Sequence, residues 1–237
     1  DARAALAAAE RVVRTGRAVA GGGEGTLRIA CAETMTAGLL APVLRAWHRH
    51  RPEVLITLTE TTSADALAEA LEAGEADVAA GPRPSRWTGP AELVGREEIV
   101  VALAADHPLA TRATVPMSAL AGIPVVHYHR DNGLGGWLDQ EAARRGTALE
   151  AVMRTKQAAT AAQLAAAGLG VALVPTTALT RTFAGALRRL APALHRDVVT
   201  FTATPSDSLV RRFSSDVRQR GLTVPGVLLD KLSAAVR

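Results

Sequence analysis

The sequence has one cysteine, Cys31, in 237 residues. A disulfide framework is therefore excluded, as is a disulfide-type oxidant sensor, which needs a second thiol. Aromatics are scarce, at three Trp, three Phe and one Tyr. That leaves little for a platform on which nucleic-acid bases could stack. Lysine is nearly missing: among 27 basic residues only Lys156 and Lys231 are not arginine. The arginines are scattered and interleaved with 23 acids, so the net charge of +4 reads as a solubility feature and not as a nucleic-acid stripe. No apolar run reaches the roughly 18–20 residues of a membrane span. The longest, Leu164 to Pro175, is broken by Gly168 and Gly170. Enzyme signatures are missing too: there is no G-x-S-x-G elbow, P-loop or H-E-x-x-H. The glycines of Gly21–Gly25 precede a strand, and Gly168-Leu169-Gly170 lies between a helix and a strand. Neither has the polarity of a dinucleotide loop. No catalytic residue, cofactor or resident metal is expected.

What is there is an ordinary globular composition, 48% hydrophobic and 21% charged. Residues 1–20 read as a helix rich in Ala and Arg, with Leu6, Val13 and Ala20 at seven-residue spacing. Either it pairs with another helix or it lies on a surface. Gly21-Gly22-Gly23-Glu24-Gly25 then forms a linker. A regular alternation follows. Leu27–Ala32 is a strand, a helix carries Leu39, Leu40, Val43, Leu44 and Trp47, and Val54–Glu60 is a second strand. A helix with Leu67, Ala70 and Leu71 ends at Gly74, and Ala76–Ala80 is a third strand. This βαβαβ order calls for a mostly parallel sheet covered by helices.

The same order recurs roughly 95 residues later, as a repeat of pattern and not of identity. Ile123–Tyr128, Ala148–Thr155 and Val171–Val174 are its strands, and Leu134–Arg145 and Ala158–Ala167 its helices. Leu93–Ala105 and Asp197–Thr204 are strand-like segments placed to cross between the two repeats. A last amphipathic helix, Ser208–Gln219, follows possible N-caps at Ser206 and Asp207. The expected fold class is α/β: two βαβαβ lobes joined by two crossing hinge strands, with a cleft between them. The expected divisions are 1–24 as helix end and linker, 25–101 plus 205–237 as lobe 1, and 102–204 as lobe 2. Lobe 1 includes a tail, 223–237, with a short helix.

Several segments then match one family in order and spacing. Gly25-Thr26-Leu27-Arg28-Ile29-Ala30, Leu39-Leu40-Ala41-Pro42, Pro52-Glu53-Val54, Leu71 to Ala79, His107-Pro108-Leu109-Ala110 and Leu164 to Pro175 resemble the regulatory domain of LysR-type transcriptional regulators. The likeness covers residues 25–220; the tail from Gly221 departs from the family's usual ending. The resemblance implies a type 2 periplasmic-binding-protein-like fold that binds a small-molecule effector, and a cytoplasmic location. It also implies that residues 1–20 end a linker helix, and that DNA is contacted only through an N-terminal winged helix-turn-helix absent from this chain. It implies a homodimer or homotetramer, with helix 36–49 at a side-by-side dimer interface against a second-lobe helix of the partner.

In open α/β sheets, ligands bind beyond the carboxyl ends of the strands, where helix N-termini offer free N–H groups. The segments at those ends are Glu33-Thr34-Met35-Thr36 and Thr61-Thr62-Ser63 in lobe 1, and His129 to Asn132 and Gln157 to Thr160 in lobe 2. The candidate effector-binding residues are Glu33, Thr34, Met35, Thr36, Thr62, Ser63, Pro82, Arg83, His129, Asn132, Gln157, Ala158 and Thr160. Hydroxyls and N–H groups of this kind suit a small organic anion or polar metabolite. Thr34, Ser63 and Thr160 are equally natural helix caps, and capping and ligand contact are compatible. By the resemblance, Thr34 and Ser63 align with effector-contacting hydroxyls. Arg83 is either a carboxylate partner or a solvated loop arginine. His127 and His129 lie two apart on a strand, but no third metal ligand accompanies them. Cys31 reads as a small buried core residue. The alternative function is an extracytoplasmic solute-binding protein of a transporter; the 1–20 helix and the regulator-like segments weigh against it. An enzyme on the same scaffold would need an acid–base or metal constellation that these segments lack.

Overall fold

A computed structural model describes residues 25–233. The expected linker helix and most of the glycine-rich linker lie outside these residues. The chain forms two units of α/β construction, in keeping with the expected fold class. Unit 1 holds the described residues through Gly95 together with Asp197–Leu222. Unit 2 holds Arg96–Arg196 and the residues from Thr223 on.

In unit 1, β1 (Thr26–Ala32) runs parallel to both β2 (Leu55–Thr61) and β3 (Val78–Pro82). A strand paired on both sides and covered on both faces needs a nearly unbroken apolar run, which Leu27 and Ile29–Ala32 supply. The exception, Arg28, has a local purpose. Its guanidinium meets Asp77 at 2.6 Å and donates to the Gly74 carbonyl at 2.5 Å, pinning the turn that feeds β3. After β1 the chain turns helical: α1 (Glu33–Met35), a π-helical turn (Thr36–Leu40) and α2 (Ala41–His50). The expected single helix over 36–49 is thus interrupted. Val43 and Trp47 of α2 face inward. Trp47 stands edge-on to Phe213 at 5.4 Å and donates Nε1–H to Asp216 at 2.8 Å. Phe213 and Asp216 belong to α6 (Ser208–Arg220), capped by Asp207, whose Oδ1 accepts from Leu209 and Val210 N–H. Much of the α2 apolar stripe is therefore spent on the unit's own core. α3 (Ala64–Glu72) buries Leu67, Ala68 and Leu71.

Unit 2 repeats the plan. β6 (Pro124–Tyr128) is parallel to β7 (Glu150–Thr155) and bridges in parallel to Val171, just before β8 (Ala172–Pro175). Gly170, at φ +140°, lies against the Pro124 carbonyl, where a Cβ would overlap it. α4 (Gly133–Arg144) and α5 (Ala158–Ala166) cover the strands. The buried face of α5 is Ala158, Ala161, Ala162 and Ala165, a stripe of methyls that lets the helix approach the strands closely.

The chain crosses between units inside two long strands, β4 (Ala91–Leu103) and β9 (Ala186–Phe201), the second of which also pairs in parallel with the short β5 (Thr114–Val115). Both were expected to cross, but the crossings fall at 95/96 and 196/197 and not near 101 and 205. β9 also begins well before the expected Asp197 and includes His195. The tail differs most. Residues 205–222 belong to unit 1, but α7 (Gly226–Ser233) packs in unit 2, where Leu228 and Leu232 join the core. A short helix with two leucines four apart docks wherever a matching apolar surface lies, and sequence pattern does not say where that is.

Candidate functional site

The parallel register fixes which residues meet at the edge of unit 1. Ala32 stands opposite Thr61, and Cys31 opposite Ala80. The carboxyl ends of β1, β2 and β3 therefore lie side by side. They bring together Glu33–Thr36, Thr62–Ser63 and Pro82–Arg83, eight of the candidate residues. Gly81 belongs to this edge because a Cβ there would meet the Leu67 side chain at 2.7 Å and Ala32 Cβ at 3.2 Å.

Their hydrogen bonds sort them. Ser63 caps α3, its Oγ accepting from Ala66 N–H at 3.3 Å, and its own N–H donates to Thr61 Oγ1 at 3.2 Å. Thr36 donates its hydroxyl to Glu60, so the 3.2 Å contact between Cys31 Sγ and Thr36 Oγ1 is the thiol donating to Thr36. Burial pushes the Cys31 thiol up to about 11, so Cys31 remains a protonated donor. Thr34 is different. Its Oγ1 is buried and has no hydrogen-bond partner among the described residues. Such a group costs free energy until something bonds to it. Met35 is fully buried in the unit's core, so its side chain serves packing. Arg83 is exposed, and its backbone N–H donates to Asp197.

Unit 2 gathers its own candidates by the same geometry. Tyr128 pairs with Thr155, and His129 N–H donates to the Thr155 carbonyl at 2.8 Å. Asn132 is buried and doubly committed. Its Oδ1 accepts from Leu134 N–H at 2.8 Å, capping α4, and its Nδ2 donates to the Lys156 carbonyl at 2.7 Å. It ties the two strand-end loops together and is a structural residue. Ala158 is buried in the core, whereas Gln157 and Thr160 are exposed. His129 is half exposed and paired with Asp131 at 3.1 Å.

The two histidines do not form a metal pair. His127 is buried, and its Nε2 lies 3.2 Å from Asp139. Its Nδ1 accepts from Tyr128 N–H at 2.8 Å. Burial holds its pKa below the ordinary histidine value, helped by the Arg154 charge and opposed by Asp139. Among the described residues no group of three or more His, Cys, Asp or Glu could hold a metal.

The end of β8 carries residues that sequence reading passed over. β8 stands to β6 as β3 stands to β1, so Thr176 and Thr177 follow Pro175 in unit 2 as Arg83 and Pro84 follow Pro82 in unit 1. Thr176 is buried. Thr177 donates to Glu97 Oε2 at 2.7 Å, and the other oxygen of this buried carboxylate takes the Nε–H of Arg196. The repeat offset was the signal that could have found them.

The model of the LysR substrate binding domain matches residues 20–220. Among curated proteins, the HTH-type transcriptional regulator IlvR of Caulobacter vibrioides is 31% identical over 177 residues, covering 73% of this chain and 60% of that protein. The chain spans about half to three-fifths of the length of the curated relatives it matches. Among solved structures, a Corynebacterium glutamicum OxyR C206 mutant superposes with a TM-score of 0.73 at 24% identity, covering 91% of this chain and 70% of that one. The CcmR regulatory domain of Synechocystis PCC6803, in complex with 2-PG, gives 0.71 at 16% identity, covering 83% and 97%. These regulators are not enzymes, and the match displaces the transporter reading. No helix among the described residues is long and apolar enough to cross a membrane. The chain belongs to the LysR substrate-binding domain family.

Proposed function

We propose that this chain senses a small organic anion or polar metabolite for a LysR-type transcriptional regulator, binding it without turnover at the carboxyl ends of the β-strands. The observation that carries this reading is Thr34. Three parallel strands bring its loop beside the capped start of α3, and its buried hydroxyl lacks a partner among the described residues. The π-helical turn begins two residues later, and such turns often mark functional positions in helices. A ligand oxygen at this edge would complete the hydrogen bonding of Thr34. Glu33, Thr36, Thr62, Ser63, Pro82 and Arg83 would surround it. In unit 2 the exposed candidates His129, Gln157 and Thr160 are the ones free to meet a ligand, with Asn132 holding their loops. That a solved neighbour holds 2-PG and another shikimate supports a small oxygen-rich effector.

Effector binding would shift the population between two conformations, read out through a cytoplasmic oligomer and a DNA-binding domain outside this chain. We propose a homodimer as the basic assembly, which can pair further into a tetramer. β2 pairs only with β1 and β7 only with β6 among the described strands. They expose Leu55 and Leu58, and Val152 and Met153. Apolar edges of this kind are normally covered. Sedimentation of wild type against Leu55→Asp/Val152→Asp tests this, and an unchanged molecular mass would refute the use of these edges.

The test of sensing is a thermal-shift panel of organic acids, amino acids and sugar acids, with each hit recovered after incubation. A stabilising compound recovered unchanged supports the reading. A compound converted to product points to an enzyme instead.

A further inference from the structure

The tail beyond the family match carries an inference that the effector reading does not need. The match ends at residue 220, yet the chain continues and is well anchored. Leu222 packs on the unit 1 core and lies against Gly95, where a Cβ would meet it at 3.3 Å. Val224 packs on the unit 2 core. α7 then buries Leu228 and Leu232 in that same core. Lys231 Nζ donates to the Gly185 carbonyl at 3.2 Å. Arg188 of β9 is buried and surrounded by carbonyls. It donates to Leu187 at 2.5 Å, to Ala110, and to Lys231 at 3.5 Å. A buried guanidinium bonding to carbonyl oxygens from separate segments fixes their positions with its rigid fork of donors.

We propose that residues 222–233 act as a strap, a third connection between the units that limits how far one can move against the other. A two-strand connection such as β4 and β9 can serve as a hinge. A third connection removes that freedom only if it is short and held at both ends. Here it is both. From Leu222 to Val224 the chain can span at most about 7 Å, and each of these residues is seated in a different core. Any motion that carries the seat of Leu222 away from that of Val224 beyond this span therefore requires α7 to leave unit 2 or Leu222 to leave unit 1. The strap sets the range over which any ligand can shift the conformational equilibrium.

The test contains no effector, so its failure is separate from failure of the sensing reading. Spin labels at Glu69→Cys on α3 and Gln140→Cys on α4, both exposed, report the distance distribution between the units in the full chain. Cys31 is fully buried and takes no label. A six-residue Gly/Ser insertion after Thr223, carrying a protease site, adds about 13 Å of root-mean-square slack and should widen the distribution by about half. Cutting the site after folding should widen it at least as much, without asking the chain to fold around a slack connection. Leu228→Ala/Leu232→Ala, which undocks α7, should do the same and also lower the melting temperature. A distribution that keeps the parent's width after insertion and cutting overturns the proposal and leaves α7 as part of the unit 2 core only.

Discussion

The two units are built to one plan, yet they spend their polar groups differently at the same structural position. In unit 2 the loop after the first strand of the repeat is closed by Asn132, which caps α4 and holds the Lys156 carbonyl of the neighbouring loop. In unit 1 the corresponding loop leaves Thr34 Oγ1 buried and without a partner among the described residues, while the Ser63 hydroxyl accepts a cap bond at 3.3 Å. The teaching is that helix-cap residue types mark strand-end loops, but do not say which loop is finished and which waits for a ligand. Only the hydrogen-bond inventory does that. The cores differ too. Unit 1 packs rings, with Trp47 against Phe213 and Trp87 against Phe201, whereas α5 of unit 2 packs alanine methyls.

The comparison is open to attack from several sides. Phe213→Ala opens the ring-packed core and should cost about 3–5 kcal/mol. Hydrogen exchange should show protection lost in β1 and β3 and retained in β6 and β8; equal loss in both would deny separate cores. Asn132→Ala removes a cap and orphans a carbonyl, at about 2–3 kcal/mol, whereas Ser63→Ala loses about 1 kcal/mol or less. Chemical denaturation of the two variants tests this ordering, and equal midpoints would contradict it.

Acid should bear on unit 2 through His127. Its folded pKa is below the ordinary value of 6.5, so between the two values the unfolded chain holds more protons than the folded one. Stability is then full above pH 6.5 and falls as pH drops through that window. His127→Gln should flatten the slope there. Glu141, held low chiefly by Arg145 and then by Arg144, acts separately. Its contribution is present above pH 4.5 and lost only as pH falls below that value. A denaturation series in pH reads both, and an unchanged slope in His127→Gln would rule out this role.

The smallest effects are the most specific to unit 1. Thr34→Val keeps the shape and removes a buried hydroxyl that has no partner among the described residues, so the melting temperature should hold or rise, by the equivalent of about 1 kcal/mol or less. Cys31, buried with its thiol pushed up to about 11, should resist iodoacetamide at pH 8 and react on unfolding. Rapid native labelling would contradict its placement.

The two repeats, their parallel strands and the caps at Ser63 and Asp207 were legible because apolar periodicity and cap chemistry are local signals. The first half of β9 was not. Arg188 and Arg189 interrupt its apolar run and Pro192 lies within it, so it reads as a loop, yet Arg188 is buried and bonded to carbonyls. The docking of α7 was not legible either, since Leu228 and Leu232 name a face but not the surface that receives it. Of the candidate site, the strand ends were found by order alone. The packing roles of Met35 and Ala158, and the double duty of Asn132, depend on which way side chains turn. Thr176 and Thr177 were missed because the Val-Pro ending of β8 looked like a stop signal.

The most direct test of the sensing claim is calorimetric titration of the most stabilising organic acid from the panel into wild type and into Thr34→Val. The account predicts binding to the wild type and at least about tenfold weaker binding to the variant, the loss of one hydrogen bond to a charged group. Equal affinity in the two proteins, with the variant folded, would contradict the assignment of the effector to the Thr34 edge of unit 1.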